Sequence, residues 1–94
     1  MEKFQDKQLE WLLLEIRKEL AYAQNKFSKY NSSHEGFAVI AEELDELWDE
    51  VKAKPYSGKN ERMTREAIQV ATTAIRFVLD VSLPASQEGK ENVA

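Results

Sequence analysis

The chain has 94 residues, a formal net charge of -4, and 43% hydrophobic and 32% charged residues. That length allows one domain and not two, and a helical chain so small often completes its core by oligomerising. The acidic balance argues against a general nucleic-acid binder, the lack of cysteine excludes disulfides and thiolate metal sites, and no apolar run approaches the roughly 20 residues needed to span a bilayer. With no secretory pattern near Met1, the expected location is the cytoplasm.

Leu9, Leu12, Leu13, Ile16, Leu20, Ala23 and Phe27 recur at three- and four-residue spacing. This predicts a long amphipathic helix over about residues 3–29, with Asp6, Glu10 and Arg17 on its opposite side. Trp11 and Leu14 fall outside the main stripe and suggest a second buried surface. Ser32, with Glu35 three residues on, reads as a capping box, so a second helix should start near Ser33. Its apolar stripe is Phe37, Ile40, Leu44, Leu47, Trp48 and Val51, and it should end before Pro55, because a residue preceding proline disfavours the α region.

Residues 54–60 read as a loop. Asn60 is the expected cap of a third helix, with Glu61 in its first turn. Ala67, Ile68, Val70, Ala71, Ala74, Ile75, Phe77, Val78, Leu79 and Val81 make that helix apolar over more than half its circumference. It should therefore be buried on two sides and central. The expected fold is all-α, one domain over residues 1–81 with a polar, flexible tail over 82–94.

The second helix also carries Glu42, Glu43, Asp45, Glu46, Asp49 and Glu50. At roughly 100° per residue, Glu42, Asp45 and Asp49 lie opposite the apolar stripe and read as a solvated face. Glu43, Glu46 and Glu50 border the stripe, where partial desolvation and mutual repulsion disfavour them unless a cation intervenes. The third helix offers Glu66, Gln69 and Thr73 on one strip. If the two helices form an antiparallel hairpin, Glu43 and Glu46 approach Glu66 and Gln69, a donor set suited to Mg²⁺. Interhelical ion pairs with Arg62, Arg65 and Arg76 explain the same charges equally well. His34 reads as a surface or capping residue. Lys26, Lys29, Lys52, Lys54, Lys59 and Arg62 flank the helix ends and read as solvated, and Phe37 and Trp48 read as core.

Ser33-His34-Glu35-Gly36-Phe37-Ala38-Val39-Ile40, Glu42-Glu43-Leu44-Asp45-Glu46-Leu47-Trp48 and Glu66-Ala67-Ile68-Gln69-Val70-Ala71 together resemble the MazG-like all-α nucleoside triphosphate pyrophosphohydrolases. The resemblance covers roughly residues 9–81. That family carries an ExxE pair on one helix and an ExxD pair on the next. Glu43 and Glu46 match the first pair, Glu66 matches the glutamate of the second, and Gln69 stands where the aspartate is expected.

The resemblance implies cleavage of a nucleoside triphosphate to monophosphate and pyrophosphate, dependent on Mg²⁺ or on Mn²⁺ in its place. Glu43, Glu46, Glu66 and Gln69 would be the metal ligands, and Glu42 or Glu46 the base that activates water. It also implies a homodimer or dimer of dimers, in which helices of two chains complete a four-helix bundle. The alternative is a non-catalytic helical oligomer, an interaction module that keeps the scaffold without the reaction, with Gln69 as its mark.

Overall fold

A computed structural model describes residues 6–84, among which the regular secondary structure is entirely helical. Helix α1 spans Asp6–Lys26, α2 Ser33–Lys52 and α3 Lys59–Phe77, and a π-helical turn, Val78–Ser82, continues α3. None of the helices is long and apolar enough to cross a membrane. Residues 83 and 84 are still helical. The tail was expected from residue 82, but residues 82–84 continue the helix; the rest of it, 85–94, and the expected start of α1 at residue 3 lie outside the described residues.

The start of α2 follows the sequence signal. Ser32 is the N-cap, its Oγ accepts from the Glu35 N–H at 3.0 Å, and the Glu35 carboxylate accepts from the Asn31 N–H. This closes the capping box one residue earlier than the usual pattern. The start of α3 differs from expectation. Its N-cap is Gly58, at φ 94, and Asn60 lies inside the first turn. Glycine adopts that left-handed conformation without the penalty a side chain incurs. The early start brings the Lys59 ammonium onto the carbonyls of Val51 and Ala53, at the C-terminal end of α2. A cation there satisfies orphan carbonyls at the end of the helix.

Helix α3 is central, as its apolar circumference predicts. Both α1 and α2 pack on it, α2 the more extensively, and among the described residues the backbones of α1 and α2 do not approach each other closely. Ile68, Thr72, Thr73 and Arg76 are buried in these contacts. Gly36 permits the closest approach. A Cβ there would stand 2.7 Å from a Phe77 ring carbon and 2.9 Å from a Tyr30 ring carbon.

The apolar stripe of α2 is not core within one chain. The helix turns Gly36, Val39, Ile40, Glu43 and Leu47 inward, and leaves Phe37 67% and Trp48 57% exposed. Phe37, Ala41, Leu44, Trp48 and Val51 form an outward seam at alternating four- and three-residue spacing. The reading of Phe37 and Trp48 as core is thereby corrected. Two neighbouring apolar strips run along α2, and only one meets α3. Trp11 and Leu14 are likewise exposed, as are Val78 and Leu79. The radius of gyration, 16.3 Å, exceeds the roughly 12 Å of a compact domain of this length.

A candidate carboxylate metal centre

Helices α2 and α3 bring together three of the four expected ligands. Glu43 and Glu46, one turn apart on α2, meet Glu66 of α3, with one carboxylate oxygen from each lying within 4.8 Å of the others. An octahedral Mg²⁺ with bonds of about 2.0–2.1 Å holds its ligand oxygens ~3–4 Å apart, so small side-chain rotations close the set. Glu43 and Glu66 are half-buried and Glu46 faces solvent.

The trio is electrostatically unbalanced. Among the described residues, no lysine or arginine nitrogen lies within 4.0 Å of it, because each arginine considered as its counter-ion is engaged elsewhere. Arg62 meets Glu50 at 3.1 Å, Arg65 meets Glu15 of α1 at 3.4 Å, and Arg76 meets Asp80 at 3.9 Å. The Glu43 Oε2 is buried with no hydrogen-bond partner. Burial, then the Glu46 carboxylate beside it, pushes the Glu43 carboxyl up to about 7. The Glu66 carboxyl is raised for the same two reasons. A buried carboxylate oxygen that lacks a donor and faces two more carboxylates fits one of two states, a shared proton or a bound cation.

The remaining expected residues fall into place around the trio. Gln69 lies beside it on α3, but its amide nitrogen donates to Glu19 of α1 at 2.8 Å. Glu42 is exposed and outside the trio, as are Asp45 and Asp49. Glu50 pairs with Arg62 and accepts from the Tyr56 hydroxyl, and these contacts hold it below the usual carboxylate range. His34 is exposed. The sequence reasoning missed Glu15 and Glu19, which reach Arg65 and Gln69 from α1. Their one-turn spacing beside Leu12, Ile16 and Leu20 was the available signal, an acidic row bordering the stripe that meets α3.

A cavity of about 380 Å³ opens beside Glu43, walled by all three helices or their connections, with Phe27, Tyr30, Val39, Gln69, Thr72 and Arg76 among its lining residues. The Arg76 guanidinium carbon stands 4.4 Å from the Tyr30 ring centroid, and one of its Nη atoms donates to the Ser28 carbonyl at 2.9 Å. The π-helical turn brings Asp80 beneath this cluster, where its carboxylate accepts from the Tyr30 N–H at 3.3 Å. The chain matches no protein-family model, no curated protein and no solved structure.

Proposed function

We propose that the protein is a Mg²⁺-dependent nucleoside triphosphate pyrophosphohydrolase, resembling the MazG-like enzymes, that works as an intracellular homo-oligomer. The observation that carries this reading is the unneutralised trio Glu43, Glu46 and Glu66, with a donorless buried oxygen on Glu43. A solvated acidic face has no reason to bury a carboxylate oxygen without a partner. The cavity beside Glu43 has the dimensions of a small-molecule site.

Glu43, Glu46 and Glu66 would hold Mg²⁺, or Mn²⁺ in its place. Bound there, the ion would screen the charge of a triphosphate and draw electron density from its α-phosphorus. Water attacks that phosphorus, a new P–O bond forms, and the bond to the bridging oxygen of the β-phosphate breaks, releasing pyrophosphate. The solvent-facing Glu46 is the carboxylate best placed to take the proton of the water, with exposed Glu42 the other candidate. The cavity would receive the base and sugar.

The outward seam of α2 supports the oligomer. Phe37, Ala41, Leu44, Trp48 and Val51 follow the spacing of a helix–helix interface, and an uncovered apolar seam of this kind is costly in water. Two copies joined through such seams would form a four-helix bundle. Trp48→Glu should convert the oligomer to monomer, as read by light scattering coupled to size-exclusion chromatography.

One observation favours the second reading, a helical oligomer without catalysis. The Gln69 amide is engaged by Glu19, so the family's fourth carboxylate is replaced here by an internal hydrogen bond. Pyrophosphate release from a panel of ribo- and deoxynucleoside triphosphates, with Mg²⁺ and with chelator, separates the two. The enzyme reading expects Mg²⁺-dependent release that Glu46→Gln and Glu66→Gln abolish. No release from any nucleotide would leave the non-catalytic reading.

A further inference from the structure

Two contacts set the register of α2 against α3. Glu50 meets Arg62 at 3.1 Å, and Glu46 faces Glu66 within the trio. A turn back along α2 thus matches a turn forward along α3, as in any antiparallel pair. One further turn in the same sense puts Glu43 level with Gln69, and both line the cavity.

A carboxamide in that place has an obvious partner on α2. Its nitrogen could donate to the Glu43 Oε2, which is buried with no hydrogen bond. The structure does otherwise. The Gln69 Nε2 donates at 2.8 Å to Glu19, which reaches in from α1, and Glu43 stays without a donor. A carboxylate only accepts, so this bond fixes which end of the amide faces α1. Among the described residues, nothing donates to the Gln69 Oε1.

Glu19 also differs from its neighbour one turn earlier. Glu15 is matched by Lys18 at 3.3 Å and Arg65 at 3.4 Å. Among the described residues, Glu19 has no lysine or arginine nitrogen within 4.0 Å, and the Gln69 amide is its hydrogen-bond donor. A carboxylate on the nitrogen side of an amide polarises it and adds negative charge to its oxygen. A carboxylate at position 69 would instead meet Glu19 as a like charge. An amide is the group that fits between an anion on one side and a cation on the other.

We propose that Glu19 is a positioning residue, which holds the Gln69 carboxamide by its nitrogen so that the oxygen joins Glu43, Glu46 and Glu66 around a dication. This rests on the dication reading of the trio and not on catalysis. One negative charge of the site is then carried by α1 and reaches the ion through an amide. Freed from Glu19, the amide would turn its nitrogen to Glu43 and compete with the ion for that oxygen.

The test is isothermal titration of Mg²⁺ into the full chain. Glu19→Met, which keeps the length and removes the acceptor, should weaken binding by about tenfold or more, the usual cost of losing a group that orients a ligand. Glu19→Gln, whose own oxygen still accepts from Gln69, should lose less. Glu15→Met, the same change one turn away, should bind within about twofold of the parent, because a pair with an exposed arginine contributes little. Gln69→Leu should weaken binding as Glu19→Met does, and the double variant no further, because Glu19 acts through the amide. The carbon-13 resonance of the Gln69 side-chain carbonyl should shift on adding Mg²⁺ to the parent, and not to Glu19→Met. Additive losses would reduce Glu19 to a general charge effect and overturn the assignment, as would full affinity in Glu19→Met. Either result leaves the dication reading standing. A parent chain that binds no Mg²⁺ would overturn both.

Discussion

Two clusters of buried charge share helix α3 and are built in opposite ways. At the C-terminal end of α3, Arg76 and Asp80 have side chains only 6% and 7% exposed; their opposite charges face each other, although the Arg76 Nε, like the Glu43 Oε2, is buried without a hydrogen-bond partner. Arg76 faces Asp80, donates to the Ser28 carbonyl and stacks on Tyr30, and Asp80 accepts from the Tyr30 N–H. Further back along α3, Glu43, Glu46 and Glu66 are less buried and face one another, with Arg62, itself paired with Glu50, the one cation acting on Glu66 among the described residues. The first cluster is an architectural joint, tying the α1–α2 connection to α3. The second opposes folding as it stands. The proposed dication would remove that repulsion, whereas the first cluster sets a cation against an anion within the chain.

The largest test of this contrast is Arg76→Leu. It strands Asp80 under the α1–α2 connection and should cost about 3 kcal/mol of unfolding free energy, read by urea denaturation, as expected for breaking a buried pair from one side. Gly36→Ala should follow at about 2 kcal/mol, because the added methyl meets the Phe77 and Tyr30 rings and both must shift. It probes the same joint without touching a charge.

Glu43→Gln should act with the opposite sign. In the absence of divalent ions at pH 8 it should stabilise the protein by about 1 kcal/mol, a figure already reduced for partial solvent screening. The pH dependence follows from the same group. The folded state holds the Glu43 proton up to about 7, whereas an unfolded glutamic acid releases it near 4.5. Between those values the folded chain binds more protons, so metal-free stability should fall as pH rises from about 4.5 to about 7 and then level off. Saturating Mg²⁺ should offset that fall in the parent and not in Glu43→Gln, as thermal melts across the pH range would record.

Much of this was legible in the sequence, for local reasons. The Ser32–Glu35 cap, the stop before Pro55 and the one-turn spacing of Glu43 and Glu46 each depend on residues within a few positions and on helix geometry, while Glu66 joins them through the α2–α3 hairpin. The face of α2 that meets α3 was harder to read. Val39, Ile40 and Leu47 form one apolar strip and Phe37, Leu44 and Trp48 another, and hydrophobic spacing does not say which turns inward. The hydrogen bond of Gln69 was hidden for a similar reason. The residue lies on α3 between two neighbours, and its engagement with Glu19 depends on where α1 docks, a long-range fact absent from α3 itself. The start of α3 at Gly58 turned on a lysine reaching back across the loop to the carbonyls of α2.

The central claim is that the trio stands ready for a dication, and isothermal titration of Mg²⁺ into the metal-free chain near pH 6.5, in two buffers of different ionisation enthalpy, tests it most directly. The account predicts saturable binding at one site per chain with release of a substantial fraction of a proton from Glu43, and loss of both in Glu43→Gln. Binding without proton release, or no binding at millimolar Mg²⁺, would contradict it.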